Sequence, residues 1–505
     1  MAPDAERPAP TAPSDDDIGS SAAAAAATGE AIETAETAGP IEAASAADAA
    51  RRPWPFGAWL AVSAVTGLGV RLAYTIGWRI DAGLQYDGPV YVARARFLRE
   101  GLAFKNPDAW FFSQISSEGA VHPPGNALLI AAAQQIGLRS AAQIQLLGCA
   151  VGVTTIVVIG LLGREVAGRR VGIVAAAIAA VSPGLWSYDP TAMAESPGQL
   201  LTAILLLLAY RFWQTPTVRR AAYLGGLAGL AALTRSELLI LVAVFVLPLC
   251  FIARGTTRQA LTRVGAATLW TLMVIGPWLG WNLVRFEHPV TMASGIDLSL
   301  AYAQCDDTWY GTNTGYWNLF CATNVTEAPE NVLADESELG TQYRSQAGRY
   351  IADHRSRWPI VIAARAGRTL SVYPPNAQIT VEAERESRER PVLWAATLAT
   401  WCTYLLAAAA FARPPRSRRH LLPLLAPLVA GIAGATITFG TSRYRSAGEV
   451  GLIVLAAVGI DAIGRTWNAR APERGSPADL TAADGPPPHA TAGPNAAIMG
   501  AAPTT

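Results

Sequence analysis

The chain has few charged residues for its length. Only 15% of its 505 residues are charged, against about a quarter in an average soluble protein, whereas 51% are hydrophobic. This shortage excludes an ordinary soluble domain and predicts an integral membrane protein. The net charge is +1, and positive charge occurs only in short arginine clusters between apolar runs. No basic stripe is present to bind nucleic acid, so nucleic acid is excluded as a partner.

Large apolar side chains are almost missing from both ends of the chain. Residues 1–52 and 466–505 are rich in Ala, Pro, Thr and acidic residues, which bury too little surface to offset the entropy of ordering. We therefore predict two disordered cytoplasmic tails around a membrane domain at 53–465. The first apolar run follows Arg51 and Arg52 and is long enough to span a bilayer, so it is interpreted as an uncleaved signal anchor.

Several apolar windows have the length and composition of membrane-spanning helices, which need about 20 mostly apolar residues. They predict an all-α polytopic membrane protein with about ten transmembrane helices, located in the cell membrane. The windows lie at 57–77, 143–163, 171–188, 195–212, 221–234, 236–253, 264–283, 391–411, 420–440 and 447–465.

The arginine clusters orient these predicted spans. If Arg51 and Arg52 are cytoplasmic, strict alternation of the spans brings every later arginine-rich cluster to the same side, as the positive-inside rule requires. These clusters lie at 163–170, 211–220, 253–263, 412–420 and 464–470.

This orientation requires that residues 122–137 do not cross the membrane. The segment is short, begins with His-Pro-Pro and contains Gln134 and Gln135, so we predict a re-entrant or interfacial helix on the outer side. Two long outer loops follow from this assignment, at 78–142 and 284–390, and function is expected on that face.

Cysteine is scarce, with five residues in the chain. Cys305 and Cys321 frame "CDDTWYGTNTGYWNLFC" in the second long outer loop, where an oxidising compartment permits a disulfide. Cys149, Cys250 and Cys402 fall in apolar runs and are predicted to be packing residues. A disulfide-stapled loop is favoured over a zinc site, because two isolated cysteines without a nearby histidine pair lack zinc-ligand spacing.

Asp87 stands at the outer mouth of the first span, in "LQYDGPVYVARARFLREG". A carboxylate is costly near lipid and is usually kept there for a partner or a substrate. The residues that follow have helical apolar spacing and predict an amphipathic helix on the outer membrane surface. Asp shortly before Pro is also a common helix-capping signal, so the local pattern supports capping and catalysis equally. The outer location, shared with a second acid and several arginines, favours the catalytic interpretation.

Two more acids, Asp189 and Glu195, lie in the short outer loop "SYDPTAMAESPGQLL". Asp189 precedes Pro190 and has the alternative role of a turn residue. Glu195 stands at the head of an apolar run, where its burial requires a partner or a function; its alternative role is to complement the helix dipole.

Basic residues complete the predicted outer face. The positive-inside rule leaves the outer face poor in arginine. Arginines that occur there therefore imply an anion, and guanidinium is well matched to phosphate. A histidine that faces an anionic lipid headgroup suits the same role, and its alternative is a structural role. The alternative for each arginine is ordinary snorkelling at the membrane interface. The candidates are His122 in "HPPGNALL", Arg235 in "LTRSE", and Arg443 and Arg445 in "TSRYRS".

Together these motifs, in this order over roughly 57–465, resemble the GT-C superfamily of polytopic glycosyltransferases. The subgroup that uses polyprenyl-phosphate sugars is the most similar, including the protein mannosyltransferases and the aminoarabinose and RgtA/B/C/D-like transferases. "LTRSELLILV" is similar to a Thr-Arg-Pro-Glu element, with Ser236 in place of proline. "GPWLGWNLVRFEHPV" and "SRYRSAGEVGLIVLAA" are similar to later elements of the family, with departures at Trp281 and Ala447.

The resemblance implies a GT-C fold and a hexosyl- or pentosyltransferase. Such an enzyme moves a sugar, with inversion, from a polyprenyl-phosphate donor to an extracytoplasmic glycan, lipid or protein, at an active site on the outer face. Asp87 would be the general base, and Glu195 or Asp189 the second functional acid. The donor phosphate would be bound by His122, Arg235, Arg443 and Arg445.

The sequence is compatible with a bound metal ion and with a second function. Asp87, Asp189 and Glu195 together offer hard oxygen ligands that would suit a divalent cation. A polytopic transporter or lipid flippase is the alternative function, and it would be expected to show ionisable groups at mid-membrane depth or repeated halves.

Overall fold

The computed structural model describes residues 55–113, 115–327, 334–412 and 418–470. Contacts divide the chain into two units, residues 1–59 and 60–505. The described part of the first unit is the beginning of the first helix, and all other described elements belong to the second unit. The predicted tail at 1–52, and the part of the predicted 466–505 tail from 471 onward, lie outside the described residues.

Within those ranges the chain is helical, and its only β-type pairing is an isolated bridge between Lys105 and Glu118. A π-helical turn at Thr75–Arg79 extends the first helix, and short 3₁₀ turns at Ser236–Leu239 and Ser442–Arg445 precede two later helical segments. The α-helices are α1 Phe56–Tyr74, α2 Gly88–Arg99, α3 Pro107–Ser113, α4 Gly125–Gln135, α5 Ala141–Ala167, α6 Arg169–Val181, α7 Pro183–Trp186, α8 Glu195–Gln214, α9 Val218–Thr234, α10 Leu247–Ile252, α11 Thr257–Arg285, α12 Gly295–Tyr302, α13 Asp306–Trp309, α14 Thr323–Thr326, α15 Glu336–Asp353, α16 Trp358–Thr369, α17 Pro375–Arg385, α18 Arg390–Ala410, α19 Ala426–Ile437 and α20 Ser446–Arg470.

Every predicted span coincides with helical structure, which confirms the all-α fold class. By length and composition, five helices of the described chain could each cross a membrane: α1 with its extension, α5, α11, α18, and α20 with its preceding turn. Helix α6 and the segment Pro183–Thr191 are bent by 55° relative to each other and count as one further candidate. The other predicted spans fall on helices outside this set, so the number supported is lower than predicted. Helix α20 continues to Arg470, a few residues into the predicted tail.

The two special helices of the first long loop are present. Helix α4 has 11 residues, a length of about 16 Å at 1.5 Å per residue. A bilayer core is about 30 Å thick, so α4 cannot cross it, and the prediction of a short non-crossing helix is confirmed. Helix α2 begins with Gly88 and Pro89, as predicted, and packs against α4. Asp87 directly precedes α2, and His122 lies shortly before the start of α4.

Small residues allow the long helices to approach closely. Gly225 on α9 faces the carbonyl of Ala267 on α11, and Gly459 on α20 faces the carbonyl of Leu406 on α18, so closely that a Cβ atom would not fit at either glycine. Close approach at small residues is typical of helix packing in membranes, where van der Waals contact replaces the hydrophobic driving force.

One arginine-rich cluster, at 163–170, contacts two of the others. The Tyr210 hydroxyl donates to the His420 carbonyl at 2.7 Å, and His420 Nε2 lies 3.2 Å from the Val166 carbonyl. Gln214 donates to Glu165. Through Glu165 and Val166, these contacts join the segment 163–170 to the segments 211–220 and 412–420, which the strict alternation of spans predicts on the same side.

The Cys305–Cys321 disulfide is formed, with Cα atoms 5.4 Å apart, so that prediction is confirmed. Cys149 and Cys250 are buried as predicted. Cys402 is exposed on α18, so its assignment as a residue packed inside the protein is wrong. A membrane-spanning helix is apolar on all sides, and Cys402 lies on the side that faces away from the neighbouring helices.

Replacing both Cys305 and Cys321 by serine is expected to lower the free energy of unfolding by about 3 kcal/mol. The two cysteines are 16 positions apart, and opening a loop of that length restores chain entropy of this size to the unfolded state. The measurement is the unfolding temperature in detergent under non-reducing conditions. Cys402→Ser is the control, and equal unfolding temperatures for all variants would contradict a stabilising disulfide.

Candidate active site

Asp87 lies directly before α2, after a residue in an unusual backbone conformation. Tyr86 has φ of +58°, which is uncommon for an aromatic residue and costs conformational energy. Gly88 approaches the carbonyl of Thr191 so closely that a side chain would not fit. Asp87 occupies the capping position of α2, but its side chain makes no capping hydrogen bond. Capping by the carboxylate is therefore not realised.

The partner of Asp87 is Arg443, from the turn before α20. Arg443 Nη2 donates to Asp87 Oδ2 at 3.0 Å, and Arg443 Nε donates to Glu195 Oε1 at 2.8 Å. The guanidinium also lies over the Tyr86 ring, with 4.5 Å from Cζ to the ring centroid. One arginine thus joins the two acids predicted from the outer loops and fixes Asp87 in place.

Glu195 begins α8 and is more deeply placed than Asp87. Its side chain has no exposed surface, whereas that of Asp87 is 25% exposed. Arg235 Nη1 lies 2.6 Å from Glu195 Oε1, and Arg235 Nε donates to Glu237 Oε1 at 2.6 Å. Two arginines therefore compensate the burial of Glu195, as a buried carboxylate requires. Of the two linked acids, Asp87 is the one that a substrate can reach.

His122 lies beside Asp87. Its Nε2 is 3.9 Å from Asp87 Oδ1, and its ring stacks on Tyr91 of α2 with centroids 4.8 Å apart. Burial lowers the pKa of His122 to about 4, although the nearby Asp87 acts in the opposite direction. The imidazole is therefore neutral near pH 7 and can donate a hydrogen bond to an anion without carrying a charge itself.

Asp189 has a different partner. It is buried, its Oδ2 accepts from Arg71 Nε at 2.6 Å, and its Oδ1 accepts from the Ser196 hydroxyl at 2.5 Å. Neither Arg71 nor Asp189 exposes any side-chain surface. The carboxylate thus compensates an arginine of the first span, which is a structural role.

Arg445 also has a structural set of contacts. Its Nε donates to Glu449 at 2.7 Å, and its Nη1 donates to the Thr369 carbonyl at 2.8 Å. It is buried and ties α20 to the end of α16. The structure therefore brings together Asp87, Glu195, His122, Arg235 and Arg443, and assigns Asp189 and Arg445 to other contacts.

Sequence reasoning missed three residues of these networks. Arg71 stands inside the first apolar run. A charged residue in such a run signals a buried partner or a function, so the sequence did contain a signal for Arg71. Glu237 lies two positions after Arg235 in the quoted "LTRSE". Tyr86 directly precedes Asp87, but nothing in the sequence indicates its backbone conformation or its contact with Arg443.

The predicted ligand set for a divalent cation does not form. Among the described residues, no group of three or more His, Cys, Asp or Glu side chains is placed to hold a metal ion. Asp189 is committed to Arg71, and Glu195 to Arg235 and Arg443. These residues do not fit the proposed cation, and no step of the reaction is assigned to it.

Asp189→Asn is expected to lower the free energy of unfolding by about 3–5 kcal/mol, because it leaves Arg71 as an uncompensated buried charge. Unfolding in detergent measures this effect. The control is Glu384→Gln, which removes one member of the exposed Arg390–Glu384 pair and should change little. A stable Asp189→Asn protein that had lost activity would contradict the structural role and return Asp189 to the active site.

The sequence of the central region matches a known family. Residues 121–281 match the model of the dolichyl-phosphate-mannose-protein mannosyltransferase family. This segment contains His122, Glu195 and Arg235, whereas Asp87 and Arg443 lie outside it. No curated protein matches the chain significantly.

Solved structures of an archaeal enzyme share the fold. The oligosaccharyltransferase of Archaeoglobus fulgidus in its apo form is 14% identical with a TM-score of 0.50, covering 83% of this chain and 52% of that one. AglB of the same organism, in complex with an inhibitory peptide and a dolichol-phosphate, is 14% identical with a TM-score of 0.51 and the same coverage. The enzyme tethered to an acceptor peptide containing the NVT sequon is 15% identical with a TM-score of 0.51, covering 83% and 50%.

The chain spans about half the length of these solved relatives. At this level of identity the likeness concerns the fold. The family match over residues 121–281 and the shared fold are both consistent with the GT-C resemblance that the sequence motifs carry.

Proposed function

We propose that the chain is a membrane glycosyltransferase that moves a sugar from a polyprenyl-phosphate donor to an extracytoplasmic acceptor, with inversion at the anomeric carbon. The observation that carries this proposal is the partly exposed Asp87 carboxylate, fixed by Arg443, which is itself held by buried Glu195. The family match to mannosyltransferases and the relative that binds a dolichol-phosphate support a lipid-phosphate donor.

Asp87 acts as the general base in this proposal. A hydroxyl is a weak nucleophile, and a positioned carboxylate that accepts its proton accelerates attack by about 10²–10⁴. As the acceptor oxygen bonds to the anomeric carbon, the bond from that carbon to the phosphate oxygen breaks. Its electron pair leaves with the polyprenyl phosphate, and a single displacement of this kind inverts the configuration. Glu195 has no exposed surface, so its role is to position Arg443 rather than to take the proton.

The leaving phosphate requires hydrogen-bond donors more than an acid. Arg443, Arg235 and His122 surround Asp87 and Glu195 and can stabilise the negative charge that develops on the phosphate. Since His122 is neutral near pH 7, it can donate a hydrogen bond without adding a further positive charge next to Arg443. Arg445 has no part in this step, because its guanidinium is occupied by Glu449, the Thr369 carbonyl and the hydroxyls of Ser371 and Thr400.

The outer face is the proposed location of the site. The site residues come from segments that alternation assigns to the outer side, and one arginine cluster assigned to the cytoplasmic side, at 163–170, contacts two others elsewhere. A polyprenyl-phosphate sugar presented at the outer membrane surface would therefore meet Asp87 beside the amphipathic helix α2.

The test uses the full-length protein in proteoliposomes with a radiolabelled polyprenyl-phosphate hexose or pentose. Membranes from cells that lack the protein supply acceptors. Label that appears in a glycosidic product, with release of polyprenyl phosphate, is the expected result. Movement of the intact labelled lipid between leaflets without cleavage would support a flippase and overturn the proposal.

A further inference from the structure

The turn that carries Arg443 is held by a carboxylate from the long loop 284–390. Glu382, on α17, accepts a hydrogen bond from the Ser442 backbone N–H at 3.0 Å, from the Ser442 hydroxyl at 2.9 Å and from the Thr441 hydroxyl at 3.1 Å. Glu382 is only 2% exposed. Three donors from the two residues immediately before Arg443 thus converge on one buried carboxylate.

This contact takes the place of an ordinary helix cap. Ser442 is the first residue of the 3₁₀ turn that leads into α20, so its N–H has no partner within the turn. Thr441 occupies the capping position, but its side chain makes no capping hydrogen bond and donates to Glu382 instead. A carboxylate is a good acceptor there, because the amino end of a helix carries partial positive charge. The long loop therefore supplies the cap that the local sequence does not.

Glu382, rather than the neighbouring Glu386, makes these contacts. Burial, and then the nearby Glu382 carboxylate, raise the pKa of Glu386 to about 8, so Glu386 is mostly protonated near pH 7. Arg388 accompanies both acids, with Nη1 3.7 Å from Glu382 Oε2 and 3.9 Å from Glu386 Oε2. A buried carboxylate needs such a partner, and Arg388 provides it while both oxygens of Glu382 accept from the turn.

The turn sets the position of the Arg443 guanidinium. Arg443 donates to Asp87 at 3.0 Å and to Glu195 at 2.8 Å. Donation to two carboxylates at once requires a fixed guanidinium, since its nitrogens form a rigid planar fork. A misplacement of about 1 Å at an active site can cost about 10² in rate. The backbone directly before Arg443 must therefore be held firmly.

We propose that Glu382 is a positioning residue: by holding the turn before α20, it places Arg443 against Asp87 and the leaving phosphate. Both oxygens of Glu382 already accept hydrogen bonds within the protein, so it acts through Arg443 and not on a substrate. The inference rests on the proposed function. It makes the long loop 284–390 a part of the catalytic apparatus, because the loop fixes a residue that lies beyond it in the sequence.

Glu382→Ala is expected to lower kcat per folded molecule by about 10². The assay is label transfer in proteoliposomes from the radiolabelled polyprenyl-phosphate sugar that the wild type uses, with membranes from cells that lack the protein as acceptors. Gel filtration in detergent measures the folded fraction before reconstitution. In Glu382→Gln the amide oxygen can still accept from the Ser442 N–H, so its kcat should lie between those of Glu382→Ala and the wild type. A purely structural role would reduce the folded fraction and leave kcat per folded molecule unchanged.

A combination with Arg443→Ala tests whether Glu382 acts through Arg443. In the Arg443→Ala protein, Glu382→Ala should cost less than about a further factor of two, because an interaction that is already lost cannot be lost again. If Glu382→Ala does not fold, the same comparison is made with Glu382→Gln, which preserves the shape of the side chain. The matched control is Glu384→Ala, since Glu384 lies on the same helix but is 66% exposed and paired with Arg390. This control should transfer at the wild-type rate.

Two results would overturn the inference while leaving the proposed function intact. One is a wild-type kcat in folded Glu382 variants, which would make the contact structural only. The other is a pair of losses that multiply when the Glu382 and Arg443 substitutions are combined, which would show that the two residues act independently. Failure of the wild-type protein to transfer label would instead overturn the proposed function, and the inference with it.

Discussion

Asp87→Asn is expected to slow sugar transfer by about 10²–10⁴ while leaving the protein folded. The substitution removes the group that would accept the proton of the acceptor hydroxyl, and general bases contribute acceleration of this size. The asparagine side-chain oxygen can still accept a hydrogen bond from Arg443, so the link to Glu195 should survive. The measurement is the rate of label transfer from a polyprenyl-phosphate sugar in proteoliposomes, at equal amounts of folded protein.

Asp81→Asn is the matched control for this experiment. Asp81 is an exposed carboxylate of the same loop, so its loss tests whether negative charge near α2 matters in general. It should transfer at the wild-type rate. Near-normal transfer by Asp87→Asn would remove Asp87 as the base, and an unfolded Asp87→Asn protein would show that the Arg443 contact is mainly structural.

Arg443→Ala is expected to affect both stability and activity. It removes the bridge between Asp87 and Glu195 and leaves only Arg235 against a fully buried carboxylate. We expect a loss of about 3 kcal/mol in the free energy of unfolding and a decrease of about 10²–10³ in transfer rate, as for the removal of one preorganised donor to a developing anion. Both are measurable on the purified protein in detergent and in proteoliposomes.

Arg443→Lys separates the two effects. A lysine keeps the charge, but its single ammonium lacks the planar fork that donates to two carboxylates at once. Stability should therefore recover in part while transfer remains slow. The control is Arg445→Ala, which should destabilise the protein through loss of the Glu449 contact, while the molecules that fold keep their transfer rate. If Arg445→Ala abolished transfer in folded protein, the phosphate-binding role predicted from the sequence would be restored.

The sequence predicted the helices well because length and hydropathy determine them locally. Apolar windows coincide with helices along the described chain. The short length of 122–137, its His-Pro-Pro start and its two glutamines, together with the arginine clusters, were enough to predict a helix that does not cross. Partners were harder to predict. Asp189 and Glu195 occupy one short loop and look alike, yet Asp189 pairs with Arg71, 118 positions away. No periodic pattern encodes such a long-range ion pair.

Arg443 and Arg445 show the same difficulty at shorter range. Both lie in the 3₁₀ turn Ser442–Arg445. With about three residues per turn, two residues separated by one position point in directions roughly 120° apart. One guanidinium therefore reaches Asp87 and Glu195 while the other turns toward Glu449. Both arginines flank the same tyrosine in the sequence. Only the conformation of the turn shows which of them reaches the two acids.

The Arg443 bridge also has a consequence for the synthesis of the protein. Arg443 follows Asp87 by 356 positions and Glu195 by 248 positions, and it lies in the turn that precedes the last described helix. A nascent chain that has inserted every earlier helix already carries both acids but still lacks the arginine that joins them. Under the proposed mechanism, a protein truncated after α18 should therefore transfer no sugar, because it contains Asp87 and Glu195 but lacks Arg443.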